Sequence, residues 1–189
     1  MTKIILASTS PQRFNLMNQL GIKFEAIPSN FDEESVKKTA PKVYVKKLAK
    51  FKAEFVSNKV NEGIIIGVDT IIVLGKEIIG KPKDEEAARL TLRKLSGKTH
   101  KAISGICVIN KYSNQTITKA VVTNVKFRKL NEKLITQYIQ SKEPLNKAGS
   151  YGIQGKGAIL VEEIKGDYNN IVGLPLITLS KILEQMKVM

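Results

Sequence analysis

One run of eleven residues, IIIGVDTIIVL at positions 64–74, restricts the folds open to this chain more than any other segment. Nearly continuous apolar strands are typical of sheets that helices cover on both faces. No segment approaches the ~20 consecutive apolar residues that a membrane-spanning helix requires. The run therefore predicts an interior strand of an α/β protein, and we expect no membrane partner.

The rest of the chain predicts strands and helices in mixed order. Because hairpin and crossover signals coexist, the predicted fold class is α/β, with a mixed twisted sheet flanked by helices. At 189 residues the chain fits one domain, predicted over residues 1–189. Helices are predicted over 11–20, 41–56, 84–95, 134–139 and 175–187, and further strands over 3–7, 24–28, 102–110, 116–127 and 158–164, with a turn at 75–77, a loop at 80–82 and a glycine-rich stretch at 149–157.

The charge balance favours an anionic partner. The chain has 31 Lys+Arg against 17 Asp+Glu, a net charge of +14, which is typical of proteins that bind nucleotides or nucleic acids. Lys far outnumbers Arg, aromatic residues make up 6%, and Trp is absent. Since proteins that read bases rely on Arg and aromatic side chains, we expect no stable nucleic-acid complex. A solvated lysine surface is the alternative interpretation.

Cysteine and histidine usage excludes several other classes. One Cys rules out a disulfide framework, and one Cys with one His leaves almost no zinc site. Cys107 lies in an apolar segment and is predicted to be inert core. His100 could serve a Ser-His-Asp triad, but no G-x-S-x-G motif accompanies it. The first residues lack the pattern of a signal peptide, so we expect a cytoplasmic protein.

Asp69 interrupts the apolar run at a position where a charged side chain is costly. A buried carboxylate must be paired, hydrogen-bonded or bound to a metal. One interpretation is an Asp at the end of a strand that caps a neighbouring turn. The other, which we favour, is a catalytic base or a metal ligand.

Lys52 departs from the pattern of its predicted helix. At ~100° per residue, Lys52 falls four residues after Leu48 and four before Val56, within the apolar arc. Its stem could follow the apolar surface while the ammonium group reaches solvent. Alternatively, the ammonium group points into a cleft and contacts phosphate. Both interpretations are consistent with the sequence.

The segment from Ser8 to Arg13 joins a predicted strand to a predicted helix. Ser10 suits the N-cap and Pro11 the first helical position. Arg13 then lies in the first turn, where the helix dipole disfavours a cation unless an anion binds the free backbone N–H groups. Serine hydroxyls and an arginine at a helix start favour phosphate binding, although such a segment also forms ordinary caps.

Further oxygen ligands and cations could complete such a site. Glu33 lies among three consecutive acids after the second predicted strand, and Lys81 lies on a loop between glycine and proline. Asp69 and Glu33 would supply hard oxygen ligands, while Arg13, Lys52 and Lys81 would contact phosphate. This set suits Mg²⁺-assisted cleavage of a phosphoanhydride. The chain contains neither a P-loop motif nor a G-x-G-x-x-G motif.

Several motifs, in one order, resemble the Maf family of septum-formation-inhibitor-like nucleotide pyrophosphatases. They span nearly the whole chain. The resemblance implies an inosine-triphosphatase-like fold of two lobes with a central cleft, and it is compatible with a homodimer. The motifs are LASTSPQR, Asp32-Glu33, Lys52-Ala53, GVDTIIVLGKEIIGKP, LRKLSGKTH, EPLNKAGSYGIQGKGA and GDYNNIVGLPL.

The resemblance also implies an activity: hydrolysis of a nucleoside triphosphate to the monophosphate and pyrophosphate, with a divalent cation such as Mg²⁺ or Mn²⁺. Asp69 matches the family's catalytic base. The positions that match family residues around phosphate and metal are Ser8, Arg13, Glu33, Lys52 and Lys81, with Glu33 and Asp69 as the metal ligands.

The resemblance further implies where the nucleotide is chosen. The family's specificity positions fall on Gln12, Thr70 and Gln154, and the Asp-Thr pair resembles the branch that acts on dTTP and UTP. Gln12 stands where the family usually has an arginine. Two alternatives stay open: a pyrophosphatase for 7-methyl-GTP or another modified nucleotide, and a non-catalytic regulator of cell division.

Overall fold

The computed structural model describes residues 2–188, apart from the side chain of Glu34. Its helices and strands alternate along the chain. The helices are α1 (Pro11–Gln19), α2 (Pro41–Ser57), α3 (Glu85–Leu95), α4 (Glu132–Gln140), α5 (Tyr168–Val172) and α6 (Leu176–Gln185). The strands are β1 (Ile4–Leu6), β2 (Glu25–Ala26), β3 (Ile64–Leu74), β4 (Glu77–Ile79), β5 (Thr99–Asn110), β6 (Gln115–Phe127) and β7 (Val161–Lys165).

The strands form one mixed sheet in the order β2-β1-β3-β5-β6-β7, with β4 paired to β3. β1 is parallel to β2 and to β3, with Ile5 opposite Ile65. β4 pairs with β3 and β7 with β6 in antiparallel fashion. This arrangement confirms the predicted fold class, because a mixed sheet requires both crossovers and hairpins. Within residues 2–188, no helix is both long and apolar enough to cross a membrane.

The chain divides into two compact units. Unit 1 holds the described residues up to Thr70, residues Ser104–Val121, and those from Gly173 onward; unit 2 holds Ile71–Ile103 and Val122–Val172. In unit 1, α2 covers a small-residue core around Ala49, Ala53 and Cys107. In unit 2, the core contains the large aromatic side chains of Phe127, Tyr138 and Tyr151.

Two glycines allow α2 to lie directly against the sheet of unit 1. A Cβ atom added at Gly67 in β3 would lie 2.6 Å from the backbone nitrogen of Ala53 and closer still to the carbonyl oxygen of Ala49. A Cβ added at Gly105 in β5 would meet the backbone of Val45 in the same way. Because only a residue without a side chain fits at such a contact, Gly67 allows the close approach of α2 to β3 and Gly105 its close approach to β5.

The structure departs from the local predictions at three places. Residues 75 and 76 form a turn as predicted, but Glu77 already belongs to the short hairpin strand β4 (Glu77–Ile79), which was not predicted. The strand predicted over 158–164 begins only at Val161, because residues Lys156–Leu160 form a 3-10 helix. The five-residue helix α5 was not predicted. Each element is too short for a hydrophobic period to repeat, which is the signal that periodicity requires.

His100 belongs to the aromatic core of unit 2, inside β5 and not before it. Its ring packs edge-on against Phe127 and Tyr151, and its Nε2 lies 2.9 Å from the hydroxyl oxygen of Tyr151. Its Nδ1 has no hydrogen-bond partner in the described part of the chain. Burial lowers the pKa of His100 to about 4. The imidazole is therefore neutral and structural, and a catalytic triad is not formed around it.

We expect His100 to make the protein acid-sensitive between pH 6.5 and 4. The unfolded chain takes up a proton on this imidazole below pH 6.5, whereas the folded chain does so only near pH 4, so stability falls as the pH falls through this window. The full difference corresponds to roughly 3 kcal/mol in the free energy of unfolding. In urea unfolding at pH 7, 5.5 and 4.5, the free energy of unfolding should fall more steeply with decreasing pH in the wild type than in His100→Gln. Parallel losses in both proteins would contradict this assignment.

Candidate active site

Lys52 is the centre of a buried ionic cluster in unit 1. Helix α2 directs it toward β3, and its Nζ lies 2.5 Å from Oδ1 of Asp69 and 2.6 Å from Oε1 of Glu33. The side chains of Lys52 and Asp69 are 8% and 9% exposed, whereas that of Glu33 is 53% exposed. One ammonium group therefore holds a buried and a half-exposed carboxylate at the same place.

This geometry decides between the interpretations that the sequence left open. The ammonium group of Lys52 does not reach out to solvent, because it is buried between two carboxylates. Asp69 lies in the middle of β3, not at its end, and its carboxylate accepts a hydrogen bond from Lys52. Both residues occupy apolar surroundings as a charged pair, and such a pair is stable only while each partner compensates the other.

Opposing effects act on the acidity of Asp69. Burial is the strongest and raises the pKa of its carboxyl group above the ordinary value. The positive charges of Lys52 and Arg13 lower this pKa, while the negative charge of Glu33 raises it. The two cations thus counteract desolvation and favour the ionised carboxylate. An anionic carboxylate with a raised pKa can accept a proton from water.

Arg13 lies at the start of α1, as the sequence predicts. The N-cap is Ser10, whose Oγ accepts a hydrogen bond from the backbone N–H of Arg13, and Pro11 is the first helical residue. The guanidinium group turns back: Nη1 donates to Oγ of Ser8 at 3.2 Å and Nε donates to the carbonyl oxygen of Gly173 at 3.0 Å. These contacts hold the cation beside the Ser8 hydroxyl, an arrangement that suits an anion.

Gln12 is bound to the same helix start. The hydroxyl of Ser10 donates to its side-chain oxygen at 3.1 Å. An amide at this position keeps a hydrogen-bond donor available but adds no positive charge. The cation at the start of α1 is therefore Arg13 alone, and the cluster of unit 1 contains two cations, Arg13 and Lys52, with two carboxylates.

Thr70 adjoins Asp69, and two residues that the sequence analysis missed hold its side chain. The hydroxyls of Thr70 and Ser104 lie 2.8 Å apart, and the Thr70 hydroxyl donates to the carbonyl oxygen of Gly173 at 3.5 Å. Ser104 is a buried polar residue within the apolar stretch AISGICVI of β5, the same signal that singled out Asp69. Gly173 has a φ of +129°, and its carbonyl accepts from both Thr70 and Arg13.

Two predicted site residues, Lys81 and Gln154, belong to unit 2. Lys81 follows β4 and is exposed, and Gln154 is exposed in the glycine-rich stretch. Their two segments are joined, because the backbone N–H of Gly149 donates to the carbonyl oxygen of Gly80 at 3.1 Å. The phosphate and nucleobase roles of these two side chains stay predictions.

The donor set in unit 1 is limited as a metal site. Among the residues that the structure describes, no group of three or more His, Cys, Asp and Glu could hold an ion. Glu33 and Asp69 both contact Lys52 Nζ, so two hard oxygen donors are present side by side. Two carboxylates fit Mg²⁺, which characteristically binds through one or two protein carboxylates and completes its shell with substrate phosphates and water.

Comparison with known proteins gives consistent matches over the whole chain. A family model described as Maf-like protein matches residues 3–186. A dTTP/UTP pyrophosphatase of Clostridium novyi is 48% identical over 98% of both chains. The dTTP/UTP pyrophosphatase of Pyrococcus furiosus is 47% identical over 97% of this chain and 95% of its own, and that of Clostridioides difficile is 45% identical over 96% and 94%.

A solved structure supports the fold. The structure of a HAM1 protein from Coxiella burnetii matches 98% of this chain and 100% of its own length, with a TM-score of 0.54. Its sequence identity is only 16%. The likeness therefore concerns the architecture of the chain, and the side chains of the site have to be argued from their own geometry.

We expect the stability of unit 1 to depend on the Lys52–Asp69 pair as a unit. Asp69→Asn removes one charge and leaves a buried ammonium group with only the half-exposed Glu33, which should lower the free energy of unfolding by about 3 kcal/mol. In the double variant Asp69→Asn/Lys52→Met both charges are gone, and stability should return to within about 1 kcal/mol of the wild type. Urea unfolding at pH 7.5 measures all three proteins. A single variant as stable as the wild type would show that the pair is not desolvated.

Proposed function

This chain belongs to the Maf-like protein family, and we propose that it hydrolyses dTTP and UTP to the corresponding monophosphates and pyrophosphate. The observation that carries the proposed chemistry is the Asp69 carboxylate, buried in an apolar strand 2.5 Å from the Lys52 ammonium group, with Arg13 as a second positive charge acting on it. The choice of nucleotide rests on relatives named dTTP/UTP pyrophosphatase, which are 45–48% identical over nearly the whole chain.

Asp69 acts as the general base in this proposal. Its carboxylate accepts a proton from a water molecule, whose oxygen attacks one of the two phosphorus atoms that flank the α–β bridging oxygen. The bond from that phosphorus to the bridging oxygen breaks, and the electron pair leaves with the departing phosphate group. Burial supports this role, since it raises the pKa of Asp69 and so makes the carboxylate a stronger base than an exposed one.

Arg13, Lys52 and Ser8 bind the triphosphate. Arg13 and Ser8 already contact each other at the start of α1, where a guanidinium group and a hydroxyl can both donate to phosphate oxygens. Lys52 has a second role, because its positive charge lowers the pKa of Asp69 and so favours the ionised carboxylate. We assign a further phosphate contact to Lys81, whose exposed ammonium group lies on the loop after β4. Cations placed where negative charge develops are usually the main source of rate in phosphoryl chemistry.

A divalent cation, Mg²⁺ or Mn²⁺, completes the proposal, with Glu33 and Asp69 as the residues that would hold it. When bound, such an ion neutralises charge on the triphosphate oxygens. The two carboxylates share Lys52 as their counter-ion. Lys52 contacts both carboxylates that would hold the ion, and in the loaded site its ammonium group would be free to turn toward phosphate.

Nucleotide selection is assigned to Gln12, Thr70 and Gln154. The hydroxyl of Thr70 is fixed by Ser104 and Gly173, and the amide of Gln12 by Ser10. The exposed amide of Gln154 carries both a donor and an acceptor, which matches the amide-like edge of uracil and thymine. We also propose a cytoplasmic location, since the one cysteine is unpaired and buried. A homodimer and the absence of a stable nucleic-acid complex stay predictions.

A panel of nucleotides with pyrophosphate detection tests this function. Wild-type protein with Mg²⁺ or Mn²⁺ should release pyrophosphate from UTP and dTTP faster than from GTP or 7-methyl-GTP, and chelation of the cation should stop release. Asp69→Asn should lose ~10²–10⁴-fold in kcat, with KM changed little, because the general base acts in the transition state.

Asp84→Asn is the matched control. Asp84 caps α3, its carboxylate accepting from the N–H of Ala87, and Asn caps a helix equally well, so activity should be unchanged. A preference for 7-methyl-GTP would replace the proposed substrate class. No release from any nucleotide would favour the non-catalytic regulator, and full release by Asp69→Asn would refute the role of the base.

A further inference from the structure

Glu143 makes contacts in unit 2 that neither the sequence motifs nor the proposed function assigns. It begins a 3-10 turn, Glu143–Asn146, that follows α4. Its Oε1 accepts hydrogen bonds from the hydroxyl of Tyr138 at 2.9 Å and from the backbone N–H of Gly157 at 3.2 Å. Its Oε2 accepts from the backbone N–H of Lys156 at 2.9 Å. Both oxygens of the carboxylate are therefore engaged, and two of the three donors belong to the glycine-rich stretch.

The carboxylate replaces a missing helix cap. The 3-10 helix Lys156–Leu160 begins after Gly155, which has no side chain to accept from the first N–H groups. The free N–H groups at a helix start need acceptors, and a negative charge there is favourable. Glu143 supplies both from a position that is remote in sequence, so the start of this helix is fixed to the end of α4.

A second contact fixes the other end of the same stretch. The backbone N–H of Gly152 donates to the hydroxyl oxygen of Tyr138 at 3.0 Å, and that hydroxyl in turn donates to Glu143. Tyr138 is 3% exposed, and burial raises the pKa of its hydroxyl, so the group stays protonated and can donate. Gly152, Lys156 and Gly157 are thus held by one carboxylate, directly or through one hydroxyl.

The glycines of this stretch leave room for the Glu143 carboxylate and the Tyr138 hydroxyl. A Cβ atom added at Gly152 would lie 2.8 Å from Oε1 of Glu143, and one added at Gly155 would collide with the same carboxylate. A Cβ at Gly157 would lie 2.7 Å from the Tyr138 hydroxyl. The backbone therefore wraps closely around Glu143, which accounts for three glycines in six residues by packing and without invoking flexibility.

Gln154 lies midway between the two anchored ends. Its neighbour Ile153 is buried in the aromatic core of unit 2, whereas Gln154 itself is exposed. Only three residues separate Gly152 from Lys156, so the backbone position of Gln154 is set by groups that the Glu143 carboxylate holds. A side chain that selects a base by paired hydrogen bonds must be held in place, because small displacements lose the pairing.

We propose that Glu143 is a positioning residue for nucleobase selection: its carboxylate fixes the loop of residues 152–157 so that Gln154 presents its amide to a pyrimidine. This inference rests on the proposed function. Glu143 does not contact the substrate and acts through Gln154. Both ends of this side chain must accept hydrogen bonds, which a carboxylate does. In a glutamine, one oxygen is replaced by an NH₂ group, whose hydrogens would face one of the N–H or O–H donors that Glu143 now accepts from.

Glu143→Gln tests the inference, with Glu163→Gln as the control. Glu163 is an exposed residue of β7, and its replacement removes the same charge. The Glu143 variant should raise KM for UTP ~10-fold with a smaller change in kcat, and the preference for UTP over GTP should fall by about the same factor. Inhibition by tripolyphosphate, which has no base, should be unchanged. Glu163→Gln should match the wild type throughout.

Amide hydrogen exchange provides a readout that does not depend on activity. Exchange in the peptide spanning residues 152–157 should be at least ~10-fold faster in Glu143→Gln, with other peptides unchanged. If this variant does not fold, Tyr138→Phe removes the hydroxyl bridge alone and should produce a smaller shift of the same kind. Unchanged exchange, or equal losses for UTP and tripolyphosphate, would overturn the inference. A wild-type protein that releases no pyrophosphate from UTP or dTTP would instead overturn the proposed function.

Discussion

Lys52 of α2 and Asp69 of β3 form an ion pair that is removed from water. Such a pair is stable only while both groups are charged, because either charge alone would be buried without compensation. The remaining features of unit 1 follow from that pair. Glu33 joins it from the acidic loop, and Arg13 adds a second positive charge that favours the ionised form of Asp69. The pair thus supplies both the proposed base and, beside it, the cation to which phosphate binding is assigned in the proposal.

Two glycines in the sheet allow Lys52 and Asp69 to come together. Because Gly67 and Gly105 have no Cβ, the backbone of α2 lies against β3 and β5, and Lys52 can reach Asp69 within hydrogen-bonding distance. An apolar residue in place of Asp69 would complete an ordinary buried strand. The chain has instead retained a charged group in its most apolar segment, which is the kind of local conflict that functional sites produce.

The sequence singled out Asp69 and Lys52 but did not show that they are in contact. Asp69 and Lys52 each broke the pattern of a single element, so each could be found from that element alone. Their pairing depends on two elements packing together, which periodicity does not describe. Ser104 carried the same polar-in-apolar signal as Asp69 and was overlooked. Glu143 and Gly173 lie within motifs of the family resemblance, but nothing local indicated their contacts, because a carboxylate on a turn and a glycine before Leu-Pro are common in ordinary loops.

In the fold, too, the sequence predicted features of single elements but not features that depend on contacts between elements. The long strands and amphipathic helices were predicted because their patterns repeat several times, whereas β4 and α5 are too short to repeat one. Residues 158–160 were predicted as strand but belong to the 3-10 helix Lys156–Leu160, whose first backbone N–H donates to Glu143, a side chain distant in sequence. Elements that depend on long-range contacts are those that single-sequence reasoning cannot place.

The ionisation of Asp69 is the property on which the account depends, and carbon-13 NMR titration of its carboxyl group measures it directly. In the wild type, the pKa of this carboxyl group should lie above the ordinary value for Asp, because burial raises the pKa more strongly than Lys52 and Arg13 lower it. In Lys52→Met, the loss of the ammonium group should raise the pKa further. A carboxyl that titrates at its ordinary value in both proteins would contradict the account, since Asp69 would then be neither desolvated nor coupled to Lys52.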